Sequence, residues 1–199
     1  MSIPSPLIVS HEAEAASALL FRTLGAHRTA ITTSHTERPT RLRATTDGDP
    51  LQDRRQATLV RLLSITESFA ADLLSREIDK AANEANNASI SRIAEDAVNQ
   101  AIGTWAGQKK SYKEWLGISE SWTKVEQLAE ARNAVAHGLG KLTRRQLKNE
   151  SGTTSQLRAV GIAVNNQAIL LTEDNLQSAA LICRDFIERI DLAVQSRRS

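Results

Sequence analysis

The sequence predicts a mainly α-helical protein, on the basis of three observations. Alanine and leucine are frequent and aromatic residues make up only 4% of the chain, and this composition favours helix over sheet. Several long segments place apolar residues at the spacing of one helix face. Only one short stretch, near the carboxyl end, has two β-branched or apolar runs around a turn. We therefore expect a helical bundle with one short β-hairpin before the last helix.

Length and composition limit the possible classes of protein. At 199 residues the chain suits one domain with extensions, and we expect a first helix and polar linker over residues 1–55 and a helical domain over residues 56–195. The formal net charge of +2 creates no dominant basic field. A single cysteine, Cys183, gives no disulfide framework. The sequence has no signal-peptide pattern and no apolar run of about 18 residues, so we expect a cytoplasmic protein without a membrane span.

The chain before the predicted domain divides into a helix and a linker. Leu19, Leu20 and Leu24 predict a helix over Ser10–Arg28, whereas the Thr, Asp and Pro content of Thr29–Asp53 predicts a long loop. The arginines there and just beyond either contact RNA phosphates or form a solvated arm, which we favour: Arg38, Arg41, Arg43, Arg54 and Arg55. The histidines lack partners at metal-ligand spacing and are expected to be solvated or packed: His11, His27 and His35.

The predicted domain begins with a long helix from Leu59 to about Ala82, whose apolar stripe is wide enough for burial on more than one side. Glu67 lies within this stripe. After a polar break at Asn83–Asn87, Ser89 or Ser91 is expected to cap the next helix. Its inward residues are predicted to be Ile90, Ile93, Ala97, Ala101, Ile102 and Trp105. Ser111-x-x-Glu114 then has the spacing of a capping box for a short helical turn.

A lysine cluster around this turn allows two interpretations. It consists of Lys109, Lys110 and Lys113 with Tyr112 and Trp115 among them. Lysines beside aromatic rings can hold phosphates while the rings stack on bases. The alternative, which we favour, is that Trp115 packs in the core and the lysines are solvated.

The central segment, Ser119–Gly140, has the best-formed helical pattern. Ser119 or Ser121 can cap its start, and Gly138 and Gly140 are predicted to end it because glycine readily adopts the left-handed conformation of a helix cap. The apolar stripe is expected to contain Trp122, Val125, Leu128, Ala129, Val135 and Ala136.

Three polar residues lie in the last turns of this helix: Arg132, Asn133 and His137. Asn133 and His137 are one turn apart and share a face, and the long arginine side chain can reach the same region. An imidazole with a reference pKa of about 6.5 exchanges protons near neutral pH, and a guanidinium binds phosphate bidentately. The three side chains are therefore candidates for binding one phosphate.

The rest of the chain is expected to close the bundle. Cations follow the central helix at Lys141, Arg144, Arg145 and Lys148, where they either contact an RNA backbone or complement the helix dipole. Ser151–Ser155 is predicted to be a polar loop. Arg158–Thr172 is predicted to form a hairpin around Asn165-Asn166, and Thr172 or Asp174 is expected to cap a broad-faced last helix.

The segment Arg132-Asn133-Ala134-Val135-Ala136-His137 resembles the R-[polar]-x-x-x-H signature of HEPN domains, a superfamily of small helical domains. The following Gly138, the long helix around residues 62–74 and the hairpin before the last helix are most similar to the RiboL-PSP subgroup. The resemblance covers roughly residues 56–193. It implies a metal-independent endoribonuclease that acts as a homodimer, in a toxin–antitoxin or phage-defence setting, with an antitoxin or sensor as possible partner.

On this resemblance, cleavage proceeds by attack of a ribose 2′-OH on phosphorus, which leaves 2′,3′-cyclic phosphate ends and requires no cofactor. His137 is the expected acid or base, Arg132 stabilises charge, Asn133 orients or binds, and Glu67 matches an acidic family position loosely. The expected RNA-binding residues are Lys141, Arg144, Arg145, Lys109, Lys110 and Lys113. One alternative is a non-catalytic module that dimerises or binds RNA, nucleotide or a partner protein. A metallonuclease is disfavoured because no acidic or histidine cluster has suitable spacing.

Overall fold

In the computed structural model, residues 8–36, 49–120 and 122–198 are described, and they form eight helices and one antiparallel hairpin. The predicted mainly α class is confirmed, as is the position of the hairpin before the last helix. The elements are α1 His11–Thr36, α2 Pro50–Glu84, α3 Ala88–Ile102, α4 Trp105–Leu116, α5 Thr123–Gly138, α6 Arg144–Leu147, α7 Glu150–Ala159, β1 Ala163–Asn165, β2 Ala168–Leu170 and α8 Glu173–Arg198.

The chain divides into two compact units that interleave along the sequence. Unit 1 takes the described parts of residues 1–17, 65–122 and 184–199, and unit 2 those of residues 18–64 and 123–183. Helices α1, α2 and α8 therefore each contribute residues to both units. The boundary predicted between residues 55 and 56 falls inside α2.

Both ends of the predicted linker are helical. Helix α1 continues to Thr36, and the hydroxyls of Thr29 and Thr32 donate to the carbonyls four residues earlier, at 3.1 Å each. Helix α2 starts at Pro50, where the fixed φ of proline suits a first turn, and the Asp49 carboxylate accepts from the Leu51 amide at 2.9 Å. The loop prediction for residues 29–53 was wrong at these ends. At the end of α1, the reason is that threonine can satisfy its hydroxyl within a helix. Arg38, Arg41 and Arg43 lie outside the described residues.

An aromatic cluster forms the core of unit 1. Trp122 packs edge-on against Phe186 with ring centroids 4.8 Å apart, and Trp105 and Tyr112 complete the group. The buried Tyr112 hydroxyl donates to the Ala70 carbonyl at 2.7 Å, and burial raises the pKa of this phenol well above its usual range. Because Tyr112 is buried, its ring is not available to stack on a base, and it belongs to the core.

Two helix starts in unit 1 differ from the sequence prediction. Asn87, and not Ser89 or Ser91, caps α3 by accepting from two amides of the first turn. Thr104 caps α4, so the predicted capping box at Ser111 and Glu114 is wrong, since Ser111 is a buried residue within that helix. On α3, Val98 and Ala101 are buried, whereas the expected core residues Ile90 and Ile93 are 45% and 68% exposed. The spacing of apolar residues along a helix does not determine how many of them pack against another element.

In unit 2 a further helix replaces the loop predicted at Ser151–Ser155. These residues lie in α7, because the Asn149 side chain caps its first turn and the buried Thr153 hydroxyl donates to the Gln146 carbonyl. The loop prediction took neither of these two side-chain hydrogen bonds into account.

The hairpin in unit 2 turns one residue later than predicted. Asn166 and Gln167 occupy the turn with φ values of +47° and +65°, and Asn165 pairs with Ala168. Two consecutive positive φ values match a two-residue turn of the kind favoured in hairpins. The start of α8 is as predicted, since Thr172 Oγ1 accepts from the Asn175 amide at 3.2 Å.

Asp191 fixes the start of α1 within unit 1. Its side chain accepts from the Ser10 amide at 2.8 Å, from the Ser10 hydroxyl at 2.7 Å and from the Gln195 amide group at 2.7 Å. The residue is only 2% exposed. A buried carboxylate with three donors stabilises the fold because each donor would otherwise lose a partner.

We expect Asp191→Ala to lower the free energy of unfolding by about 2–4 kcal/mol, because it leaves the Ser10 donors unsatisfied. Urea denaturation measures this change. The matched control is Asp185→Ala on the same helix, which removes an exposed pair with Arg189 and should change stability by less than about 0.5 kcal/mol. Equal effects of the two substitutions would contradict this role of Asp191.

Candidate functional site at the end of helix α5

Helix α5 buries most of the predicted face. Val125, Leu128 and Ala129 are buried as predicted, and Ala131 and Ala134 are buried as well. Val135 is half-buried, whereas Ala136 is exposed, so its place in the predicted stripe was wrong. The additional burial reflects the contact of α5 with α7, a segment in which a loop was predicted. Trp122 precedes α5 and belongs to the aromatic cluster of unit 1, and Ser121 lies outside the described residues.

The end of α5 is also built differently from the prediction. Gly138 is the last helical residue, and Leu139 follows in the left-handed region with φ +52°. The Gly140 amide, at φ +84°, donates to the Ala134 carbonyl at 3.1 Å and so pairs one of the last carbonyls of the helix. Leucine therefore occupies the cap position where glycine is usual, between two glycines.

The conformation of Gly140 favours glycine, because its φ of +84° is strained for any residue with a Cβ atom. A Cβ atom there would also lie 2.5 Å from Gln56 Nε2 and displace the end of that side chain. The Gly140 carbonyl accepts from the Ile169 amide at 2.9 Å, and the Leu142 amide donates to the Gln167 carbonyl at 2.8 Å. Lys141 forms a β-bridge with Ala168. The chain that leaves α5 is thus fixed to the hairpin of unit 2.

Arg132, Asn133 and His137 occupy the last two turns of α5. Arg132 and Asn133 are half-buried, and Arg132 Nη1 donates to Asn133 Oδ1 at 3.4 Å. His137 lies in the last turn and is exposed. The structure therefore brings the guanidinium and the amide together, with the imidazole one turn beyond them. Their convergence on one phosphate stays a prediction.

The basic residues after α5 differ in their environment. Lys141, Arg144 and Arg145 are all exposed, and Arg145 Nη2 lies 3.5 Å from Glu130 Oε1. Helix α6, which carries both arginines, has a reciprocal capping box between Thr143 and Gln146. The Gln146 amide also donates to the Glu130 carboxylate at 2.8 Å. Of the three cations, Arg145 is therefore the one whose charge is partly neutralised.

The remaining predicted site residues belong to unit 1. Glu67 is half-buried on α2, and the lysines of α4 are exposed: Lys109, Lys110 and Lys113. Lys110 pairs with Glu114 at 3.9 Å. The structure groups Arg132, Asn133 and His137 with the residues after α5 in unit 2, and the roles assigned to Glu67 and the three lysines stay predictions.

One polar cluster in unit 2 was missed by sequence reasoning. His27, 4% exposed, lies 3.2 Å from the Glu173 carboxylate and 2.9 Å from the Thr58 hydroxyl. Arg55 donates to Glu173 at 2.9 Å and to the Leu171 carbonyl at 3.1 Å. An open cleft of about 360 Å³ borders the cluster, lined by Arg28, Ile31, Thr32, Leu51, Arg55 and Glu173. His27 is thus packed, one of the two environments expected for it, and Arg55 is held in an ion pair. These partners are far apart in sequence, so local spacing gives no signal for them.

The pKa of Glu173 depends on this cluster. Partial burial alone would raise it, but hydrogen bonds from Arg55 and His27 outweigh burial and hold the pKa below its usual range. A carboxylate whose pKa is lowered by folding stabilises the fold above its unfolded pKa, and this contribution disappears as the pH falls through its folded value.

Three comparisons with known proteins gave no match: no protein-family model, no curated protein and no solved structure is significantly similar to this chain. In the described part of the chain, no group of three or more His, Cys, Asp or Glu side chains is placed to hold a metal ion. None of the described helices has the length and apolar character needed to cross a bilayer.

We expect Glu173→Gln to destabilise the protein at pH 6 and to make progressively less difference as the pH falls below about 4.3, the usual pKa of glutamate. Urea unfolding of both proteins between pH 6 and pH 3 measures the difference. Asp174→Asn, a neighbouring exposed acid, is the control and should lower the free energy of unfolding at pH 6 by much less. A difference between wild type and Glu173→Gln that is constant over this range would contradict the proposed role of the cluster.

Proposed function

We propose that this protein is a metal-independent endoribonuclease whose active site is the end of α5. One observation carries the proposal: a half-buried guanidinium is hydrogen-bonded to a neighbouring amide, and that amide lies about one helical turn before an exposed imidazole. Partial burial orients Arg132 and limits its competition with water, which strengthens its interaction with a phosphate. The R-N-x-x-x-H pattern and the mainly α architecture with a late hairpin support the same assignment.

The proposed reaction needs no group beyond the protein and the RNA. A ribose 2′-OH attacks the adjacent phosphorus and loses its proton to a base, while the bond from phosphorus to the 5′-oxygen breaks and that oxygen gains a proton. The products are a 2′,3′-cyclic phosphate and a 5′-hydroxyl. His137 exchanges these protons, Arg132 stabilises the charge on the pentacoordinate phosphate, and Asn133 holds the guanidinium in position.

The proposal includes a second copy of the chain. One imidazole cannot easily serve both the attacking and the leaving oxygen at once, and a two-fold dimer supplies a second one. The exposed position of His137 is compatible with such a shared site. An endoribonuclease of this kind in the cytoplasm would act in toxin–antitoxin or phage-defence systems, under the control of an antitoxin or sensor protein.

A second candidate function is a non-catalytic module that binds RNA, a nucleotide or a partner protein. The exposed Ile90 and Ile93 on α3 favour it, because apolar side chains on a helix surface are typical of contacts with another protein. In this case the cations after α5 would complement the helix dipole without chemistry. Cleavage of RNA by the purified protein separates the two candidates.

We expect His137→Ala and Arg132→Ala each to lower the rate of RNA cleavage by about 100-fold or more, because each removes a group that acts in the transition state. Asn133→Ala should cost about tenfold through loss of positioning. The assay follows cleavage of RNA in EDTA and identifies the cyclic phosphate ends. His11→Ala, an exposed histidine on α1, is the control. Unchanged cleavage in His137→Ala would refute the catalytic assignment.

We expect Lys141→Ala and Arg144→Ala each to weaken RNA binding and to reduce the slope of log affinity against log salt by about 0.7 for single strands. Arg145→Ala should have a smaller effect because Glu130 already neutralises part of its charge. Fluorescence anisotropy between 50 and 300 mM salt measures the slopes, with Lys124→Ala at the exposed start of α5 as control.

A triple alanine variant of Lys109, Lys110 and Lys113 tests whether α4 contributes. Equal salt slopes for wild type and all variants would show that these cations do not contact the RNA.

A further inference from the structure

Leu139 is an unusual residue at the end of α5. It is 93% exposed, the most exposed large apolar side chain in the described part of the chain. Its backbone has φ +52°, in the left-handed region. It follows His137 by two residues and precedes the exposed cation Lys141 by two.

The fold gives no reason for leucine at this position. The left-handed conformation is unfavourable for a residue with a Cβ atom, and glycine is the usual residue at this cap position. Because the side chain is exposed, it contributes no packing free energy that would offset the cost of this backbone conformation. A strained residue that does not contribute to the core is more common at functional sites than elsewhere.

The residues near Leu139 in the chain suggest the chemistry of a ligand. Three of them are exposed and polar or cationic: His137, Lys141 and Arg144. A phosphate bound at Arg132 and His137 brings its own nucleotide to this surface, and the faces of an unpaired base are apolar. The segment therefore offers the two kinds of contact that an RNA strand needs, charge for the backbone and apolar surface for a base.

We propose that Leu139 is a specificity-determining residue that contacts the nucleobase beside the scissile phosphate. This inference rests on the proposed ribonuclease function and deepens it. Leucine contacts the base through apolar surface, without hydrogen bonds. It therefore favours unpaired over paired RNA. It also sets the positions at which an unpaired strand is cut. In a duplex the base faces are stacked and cannot reach this side chain.

The test uses three substitutions at this position. Leu139→Ala removes most of the side chain and keeps the strained backbone, Leu139→Gly also removes the strain, and Leu139→Met keeps the apolar contact. Leu181→Ala, a leucine that is 40% exposed on α8, is the matched control. The measurements are kcat/KM and cleavage positions on an unstructured RNA, and binding of the same RNA with a 2′-deoxy nucleotide at the cleavage position.

We expect Leu139→Ala and Leu139→Gly to lower kcat/KM by about tenfold, to bind the uncleavable RNA more weakly and to change the preferred cleavage positions. The thermal midpoint of Leu139→Gly should not fall, which excludes unfolding as the cause. Leu139→Met and Leu181→Ala should behave as wild type.

Two results overturn the inference while the proposed function stands. In the first, wild type and Leu139→Ala cleave the same positions with the same kcat/KM. In the second, sedimentation shows that Leu139→Ala changes the oligomeric state, so that the side chain contacts a second copy. If wild type leaves the RNA intact, the proposed function fails, and the role of Leu139 fails with it.

Discussion

The pairing between the segment after α5 and the hairpin is the constraint on which the candidate site depends. The carbonyl of Gly140 and the amide of Leu142 bond to the hairpin backbone at Ile169 and Gln167, and a side chain on Gly140 would displace the end of the Gln56 side chain. Because these contacts fix the point at which α5 ends, they also fix where His137 lies relative to the following cations. The chemistry proposed for this helix end therefore depends on a small β-structure that carries none of the reacting groups.

The charged residues at this helix end have two roles: some stabilise the fold, and others remain available for binding. Glu130 accepts from Gln146, whose reciprocal bond with Thr143 builds α6, and it also pairs with Arg145. One carboxylate thus holds α6 against α5 and reduces the charge of one cation beside the site. Lys141 and Arg144 have no carboxylate within ion-pair distance among the described residues, so their charges are the ones available to a phosphodiester backbone. The local pattern of charge is more informative than the nearly balanced total of the chain.

The sequence predicted the parts of the fold that depend on local spacing. The long helix around Leu62, the hairpin and the cap at Thr172 follow from periodicity and turn residues, and the structure contains all three. The buried face of α5 was predicted wrongly at Ala136 and lacked Ala131 and Ala134. It depends on α7, whose Gly, Thr and Ser residues are typical of a loop. The His27 cluster could not be predicted, since Glu173, which joins it, lies more than a hundred residues from both His27 and Arg55 in the chain. Within the candidate site, the adjacency of Arg132 and Asn133 was predictable from helix geometry, whereas the left-handed Leu139 depends on how the cap closes.

The interleaving of the two units has a consequence for how the protein is made. Unit 1 combines residues from the first helix with the part of α8 from Arg184 to Arg198, and unit 2 is completed only by the first part of that same helix, up to Cys183. During synthesis, unit 2 lacks residues until Cys183 has been made, and unit 1 lacks residues until the rest of α8 has followed, so neither can finish folding before the chain has been extended into α8. For a chain with a proposed RNA-cutting site in unit 2, this order delays assembly of that site until Cys183 has been translated.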